Sequence, residues 1–350
     1  MSRFSKNLIL GLDIGTNFTK ALIASETEDG GIEILGTSRV EQTSGAMRAG
    51  EILDTVAVTE TCDKAISKAE EEADASVQKV VIGIAGELVK SAVSRIHYRR
   101  SDGERIITEE ELDAVINKIE TANGEKAKKE IAFETDNPHA EAELLDSMLV
   151  SATIDGKAVD DPVGHEGADV VIEYYTSFAP SAHIRTLENI CSELKLELVS
   201  VSVDPFAVYR AIIGDEDKKE TAVIFDIGNE NTNITVLDEG NLRGTETFSI
   251  GTKSLAKDLD IWVSGLKIAL SSLPHVPILP PKIILCGGGA ESFELQEFLA
   301  LGNWFEDLAF DRRPVVQTLE KTDLPGVEGD FELSFSVAVG LARIGFESQD

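Results

Sequence analysis

Cysteine is scarce. The three residues Cys62, Cys191 and Cys286 are far apart, which leaves no disulfide framework and no thiolate metal cluster and fits a reducing cytosol. The five histidines (His97, His139, His165, His183, His275) are scattered without metal-ligand spacing. Positive charge is also short: 32 Lys and Arg against 63 Asp and Glu give a formal net charge of −31. Such a chain has no electrostatic attraction for phosphate backbones or anionic membranes, so nucleic acid is not an expected partner, and the charge reads as solubility. Long apolar runs are missing. No stretch approaches the ~18 residues of a membrane span. The start, MSRFSKNLILGLDIG, has too short an apolar segment for a secretory signal. No Ser-His-Asp or Cys-His arrangement is legible. What remains is a 350-residue, 42% apolar globular chain, long enough for two or three domains.

Its clearest feature is a repeat. LGLDIGTNFTKALIA (10–24) and VIFDIGNENTNITVLDEG (223–240) are each an apolar strand ending in Asp-Ile-Gly, a polar turn and a second apolar strand. A third strand follows each, GIEILGTSRVEQ and NLRGTETFSIG. After the first copy, 55–73 reads as a helix with Val56, Ala65, Ile66 and Ala69 on its apolar face, and VQKVVIGIAG as a buried strand. After the second, a helix is expected over about 252–273. PKIILCGGGAES then reads as a strand whose three glycines open a helix, and LSFSVAVGLARIGF as a closing helix. Between the copies the pattern changes. SAVSRIHYRR alternates like an exposed strand, and Thr108 with Glu111 forms a capping box before a short helix, LDAVINKI. The stretch 120–137 is charged and weakly patterned and is expected to be partly mobile. Strands follow around the turn at Asp161–Gly164, and then a helix N-capped by Ser181.

A hairpin that opens with Asp and turns at Gly suits a nucleotide. Turn amides reach phosphate oxygens where Gly lets the backbone approach, and the Asp can hold a hydrated Mg²⁺. Two facing hairpins would clamp a triphosphate. The Gly-rich turn after a third strand would pack on adenine and ribose.

These segments resemble the actin-like ATPase superfamily, most closely the FtsA-type cell-division proteins and their PilM relatives of type IV pilus systems. The resemblance implies an α/β chain of two ribonuclease-H-like βββαβα halves with an inserted small α+β domain of the SHS2 type. The first half would take 1–86, 180–200 and 331–350, the insertion 87–179, and the second half 201–330, with a shortened helical subdomain at 252–281. GLDIGTNFTKALIA resembles the first phosphate loop, with Asp13 on the metal side and Gly15, Thr16, Asn17 and Lys20 at phosphate. FDIGNENTNITVL stands where the second loop belongs, with Asp226 as metal-side acid and Gly228, Asn229 and Thr232 at phosphate. IILCGGGA resembles the adenosine motif, giving Gly287, Gly288 and Gly289. VVIGIAGELVKSAVS, ITEEELDAVI and DDPVGHEGADVVIEYY are similar to the FtsA insertion, whereas SVDPFAVYRAI leans toward PilM.

Two departures qualify the cofactor expectation of ATP with Mg²⁺. Glu230 falls where a phosphate should approach, at a Coulomb cost, and Asn233 replaces a second acid, so binding is expected to be weakened and the chain at most a slow ATPase. The implied function is an FtsA-like adaptor that recruits division (FtsZ-like) partners through the insertion, with self-association open. The alternatives are a PilM-like pilus scaffold, a nucleotide-independent scaffold and, last, a small-molecule kinase, for which no general-base Asp stands out. The ending GLARIGFESQD carries no basic amphipathic helix, so the expected place is the cytoplasm, reaching the inner membrane face only through partners.

Overall fold

The central strands are apolar on both faces, and they build two sheets of the same design. The computed structural model describes residues 7–214, 219–255, 259–273 and 276–349. Strands β1 (Leu8–Ile14), β2 (Phe18–Glu26) and β3 (Ile32–Glu41) form an antiparallel meander, followed by a small hairpin of β4 (Met47–Arg48) and β5 (Glu51–Ile52). Helix α1 (Thr55–Ala73) is capped by the Asp54 carboxylate, which accepts the Ala57 N–H at 3.1 Å. It buries Val58, Cys62, Ala65, Ile66 and Ala69, whereas Val56, expected on this face, is 68% exposed. The face runs 58, 62, 65, 66, 69 at helical spacing, and position 56 is out of phase with it. Strand β6 (Lys79–Ile84) then lies parallel to β1.

A separate antiparallel sheet follows: β7 (Lys90–Arg99), helix α2 (Glu109–Glu134), β8 (Ala142–Ile154), β9 (Lys157–Val159) and β10 (Asp169–Pro180), in the order β7-β10-β8-β9. The expected short helix and mobile stretch are one 26-residue helix. Its pattern is weak because only Ile119, Ala127 and Ile131 are buried. Polar contacts hold it instead, among them Asn123 Nδ2 donating to Thr176 Oγ1 at 3.0 Å and Lys128 pairing with Glu141 at 2.8 Å. The capping box is half formed. Thr108 accepts the Glu111 N–H, but the Glu111 carboxylate turns to Arg100 at 2.7 Å. Helix α3 (Ser181–Leu194) starts at Ser181 itself, after Pro180, so Ser181 is not its cap.

Strand β11 (Glu197–Val203) pairs with β6 and leads directly into α4 (Asp204–Ile213). The meander then restarts as β12 (Ala222–Ile227), β13 (Thr232–Asp238) and β14 (Asn241–Phe248). The expected helix over 252–273 appears as α5 (Thr252–Leu255) and α6 (Leu259–Ser272), with 256–258 outside the described residues. After β15 (Lys282–Cys286), the glycines form one 3-10 turn (Gly288–Glu291) before α7 (Phe293–Leu301). Strands β16 (Val315–Thr318) and β17 (Val327–Glu328) precede the closing helix α8 (Ser336–Glu347).

The first sheet has the order β11-β6-β1-β2-β3-β17 and the second β14-β13-β12-β15-β16. In both, an antiparallel three-strand meander is extended by two parallel strands beside its first member. Helices α4 and α8 are buried over nearly their whole lengths and cross at Gly340, where a Cβ would lie 1.8 Å from the Ala207 carbonyl. Only glycine permits that approach. The second core centres on Phe225, Trp262 and Trp304. Among the described residues, no helix is long and apolar enough to cross a membrane.

Candidate nucleotide site

The repeat is structural down to single hydrogen bonds. In β1–β2 the Gly15 N–H donates to the Phe18 carbonyl at 3.1 Å; in β12–β13 the Gly228 N–H donates to the Asn231 carbonyl at 2.9 Å. Across the first hairpin Asp13 faces Lys20, whose ammonium donates to Asp13 Oδ2 at 3.0 Å. Across the second, at the same register, Asp226 faces Asn233, whose amide donates to Asp226 Oδ2 at 2.9 Å. Thr247 in turn donates to Asn233 Oδ1 at 2.9 Å. Asn233 is therefore the orienting partner of Asp226, as Lys20 is of Asp13.

The two turns face one cavity of about 300 Å³, within the usual range for small-molecule sites. Asp13, Gly15, Thr16, Asn17 and Lys20 line it from one side, and Asp226, Gly228 and Asn229 from the other. Gly287 and Gly288 also reach it. Gly287 has φ +77°, and a Cβ there would come 2.3 Å from Asp226 Oδ1, so the glycine turn lies directly against this acid. Gly289 does not line the cavity and packs instead against the Ile227 side chain. Thr232 is also elsewhere. It is fully buried, its hydroxyl accepting the Trp262 indole N–H at 2.9 Å and donating to the Ile250 carbonyl at 2.7 Å. That hydroxyl serves the core and has nothing left for a phosphate.

Glu230 also departs from expectation. Its Oε2 accepts the Ala49 N–H at 2.8 Å and its Oε1 pairs with Lys253. Burial pushes the Glu230 carboxyl up, but Lys253 and the Ala49 amide outweigh it and hold it below the usual value. The charge is spent on a strap across the cleft mouth.

The structure adds two residues that the sequence did not mark as part of the site. Asp204, the first residue of α4, lines the cavity at 8% exposure, and its Oδ1 has no hydrogen-bond partner among the described residues. Burial, then the charges of Asp13 and Asp226, drive its carboxyl well above the ordinary range. It thus stands beside Asp13 and Asp226 at the same cavity. Its only sequence signal is a lone acid in the apolar run LVSVSVDPFAVY. The other is Arg39, which lines the cavity stacked 5.1 Å over the Phe18 ring.

Three carboxylates thus meet one ammonium. Burial also raises Asp226, against the Asn233 hydrogen bond that lowers it. Burial pulls Lys20 down, but Asp13 overrides it and Lys20 stands above the usual lysine value. An excess of buried acid with an unpartnered oxygen fits a divalent cation of the hard, oxygen-liking kind. Among the described residues no three His, Cys, Asp or Glu side chains close on a single point. Mg²⁺ commonly keeps most of its waters and takes one or two carboxylates.

Comparison with known proteins agrees with this frame. No family model matches the chain. It is 26% identical over 268 residues to the cell division protein FtsA of Neisseria meningitidis serogroup B, covering 76% of this chain and 60% of that protein. To Bacillus subtilis FtsA it is 22% identical over 273 residues, covering 78% and 58%. The chain thus spans less than two thirds of these relatives' length. Among solved structures, a chain of the PilM–PilN type IV pilus biogenesis complex superposes with a TM-score of 0.65 at 17% identity, covering 96% of this chain and 98% of that one. The fold is that of the actin-like ATPases. Within it, the chain is similar in sequence to FtsA proteins and in structure to the PilM chain.

Proposed function

We propose that the chain binds ATP with Mg²⁺ in the cleft between its two sheets and acts as an FtsA-like cytoskeletal adaptor. In this reading the four-stranded sheet β7-β10-β8-β9 is the inserted domain that recruits division partners. The observation that carries it is the convergence of Asp13, Asp204 and Asp226, with the single ammonium of Lys20, on a cavity walled by two equivalent glycine turns. The turns offer amides and hydroxyls to phosphates, and Lys20 and Arg39 supply positive charge. Asp13 and Asp226 would hold Mg²⁺ through its waters, and its charge would offset that of the acids and of a phosphate chain. Cation and nucleotide would bias how far the cleft closes, and closure would alter the surface presented to partners. Any hydrolysis is slow in this reading.

A second reading, a pilus-assembly scaffold of the PilM type, draws on one segment: SVDPFAVYRAI, which leans toward PilM, is the segment that carries Asp204 into the cleft. Calorimetric titration of ATP with Mg²⁺ and with EDTA tests the shared core of both. Binding at micromolar ATP that needs Mg²⁺ is expected, and silence at millimolar ATP overturns it. Retention of the chain on an FtsZ-type tail peptide or on a PilN-type cytoplasmic peptide then separates the two.

A further inference from the structure

The first turn of α4 is where the three larger sheets meet. Upstream of Asp204, the Val203 N–H donates to Asp146 Oδ2 at 3.1 Å, and Asp146 belongs to β8 of the four-stranded sheet. The same carboxylate oxygen accepts the Ser177 hydroxyl of β10 at 2.6 Å, while the Asp146 N–H donates back to Ser177 Oγ at 3.1 Å. Downstream of Asp204, the Phe206 ring lies flat on Tyr175 of β10, with centroids 5.3 Å apart and planes 6° from parallel. Between them, the Pro205 carbonyl accepts the Thr235 hydroxyl of β13 at 3.2 Å. Asp146 and Ser177 are buried, Tyr175 fully so. Residues 203–206 are therefore gripped on both sides of Asp204 by the four-stranded sheet, while Asp204 itself lines the cavity.

A buried carboxylate is costly unless its hydrogen bonds are met. Solubility gives no reason to place one here, and an apolar residue would seal the junction more cheaply. What the acid does is fix the backbone one residue before Asp204. Groups that orient a metal-side ligand commonly matter to cation affinity by about 10–100-fold.

We infer that Asp146 is a positioning residue for Asp204, and that through it and the Tyr175–Phe206 stack the four-stranded sheet is linked to the occupancy of the cleft. This rests on the reading of the cleft as an ATP–Mg²⁺ site. By linkage, whatever seats on the sheet and shifts β8 against α4 alters Mg²⁺-dependent ATP affinity, and ATP with Mg²⁺ alters affinity on the sheet by the same factor.

The test is calorimetry of ATP with Mg²⁺ and with EDTA on the full chain, on Asp146→Ala and on Asp146→Asn. Removal of the acceptor in Asp146→Ala should weaken the Mg²⁺-dependent binding by about tenfold while leaving binding in EDTA unchanged. Asp146→Asn, which keeps an oxygen for the Val203 N–H, should restore most of it. Equal Mg²⁺-dependent affinity in a folded Asp146→Ala overturns the inference. Hydrogen exchange on the unsubstituted chain covers the case of a misfolded variant. ATP with Mg²⁺ should slow the Asp146 and Val203 amides more than ATP in EDTA does, and identical rates overturn the link. If the unsubstituted chain shows no Mg²⁺-dependent binding at all, it is the nucleotide reading that fails first, and the inference with it.

Discussion

The Glu230 carboxylate accepts the Ala49 N–H at 2.8 Å, joining the β12–β13 turn to the β4–β5 hairpin, which follows the first meander. The contact is local at one end and crosses the cleft at the other. Gly50 follows Ala49 and donates its N–H to Thr16 Oγ1 at 3.3 Å, so the strap also touches the first turn. Glu230→Ala should therefore speed hydrogen exchange at the Ala49 amide by about fivefold or more, the loss of one charge-assisted bond of about 1 kcal/mol or more. An unchanged exchange rate would mean the strap does not form in solution.

Lys20 and Asp13 are both largely buried, at 15% and 8% side-chain exposure. Removing one partner of such a pair leaves an uncompensated charge at a cost of about 3 kcal/mol or more. Lys20→Met should lower stability by that amount in urea titration, and adding Asp13→Asn should recover most of it. A single variant within ~1 kcal/mol of the unsubstituted chain would contradict the pairing.

Gly287 and Gly288 are neighbours with opposite tolerance. Gly287→Ala places a methyl 2.3 Å from Asp226 Oδ1 at a φ of +77°, whereas a Cβ on Gly288 meets nothing within 4 Å. The first should cost about 1–3 kcal/mol and displace Asp226, and the second should be close to neutral. Equal thermal shifts for the two would show that the turn is not held against the acid.

Asp146 gives a pH signature. Burial pushes its carboxyl up to about 6, against the hydrogen bonds from Ser177 and the Val203 amide. The other ionisable groups around it are the Tyr175 phenol on β10 and the Arg210–Glu347 pair from α4 and α8. The native value lies above the unfolded one, ~3.9. Between the two, the native state keeps a proton that the unfolded chain has lost, so stability falls as pH rises through that window and stays low above it. Asp146→Asn should remove that slope, a difference of about 2 kcal/mol across pH 4–7 in unfolding free energies compared variant against parent. Parallel curves would contradict it.

How much of this the sequence carried depends on what each residue touches. The duplicated hairpins were legible because each is a local unit, and the sheets repeat their order as the apolar strands implied. The cavity-lining roles of Asp13, Lys20 and Asp226 follow from strand-end positions. Asp204 was not legible, because its meaning comes from β11 delivering α4 to the cleft, a placement that no local spacing encodes. Thr232 reads as a phosphate ligand only until Trp262, thirty residues on, takes its hydroxyl. Glu230 reads as a clash until Ala49 and Lys253 turn it aside. Helix α2 hid its length because polar contacts, not an apolar stripe, hold it to its sheet.

The most direct test is the Mg²⁺ dependence of ATP affinity in the parent chain and in Asp204→Asn, measured as the ratio of dissociation constants in EDTA and in Mg²⁺. If Asp204 contributes to holding the cation at the cavity, Mg²⁺ tightens ATP binding by about tenfold or more in the parent, and that gain is lost in Asp204→Asn while binding in EDTA persists. The same Mg²⁺ gain in both chains would contradict the account.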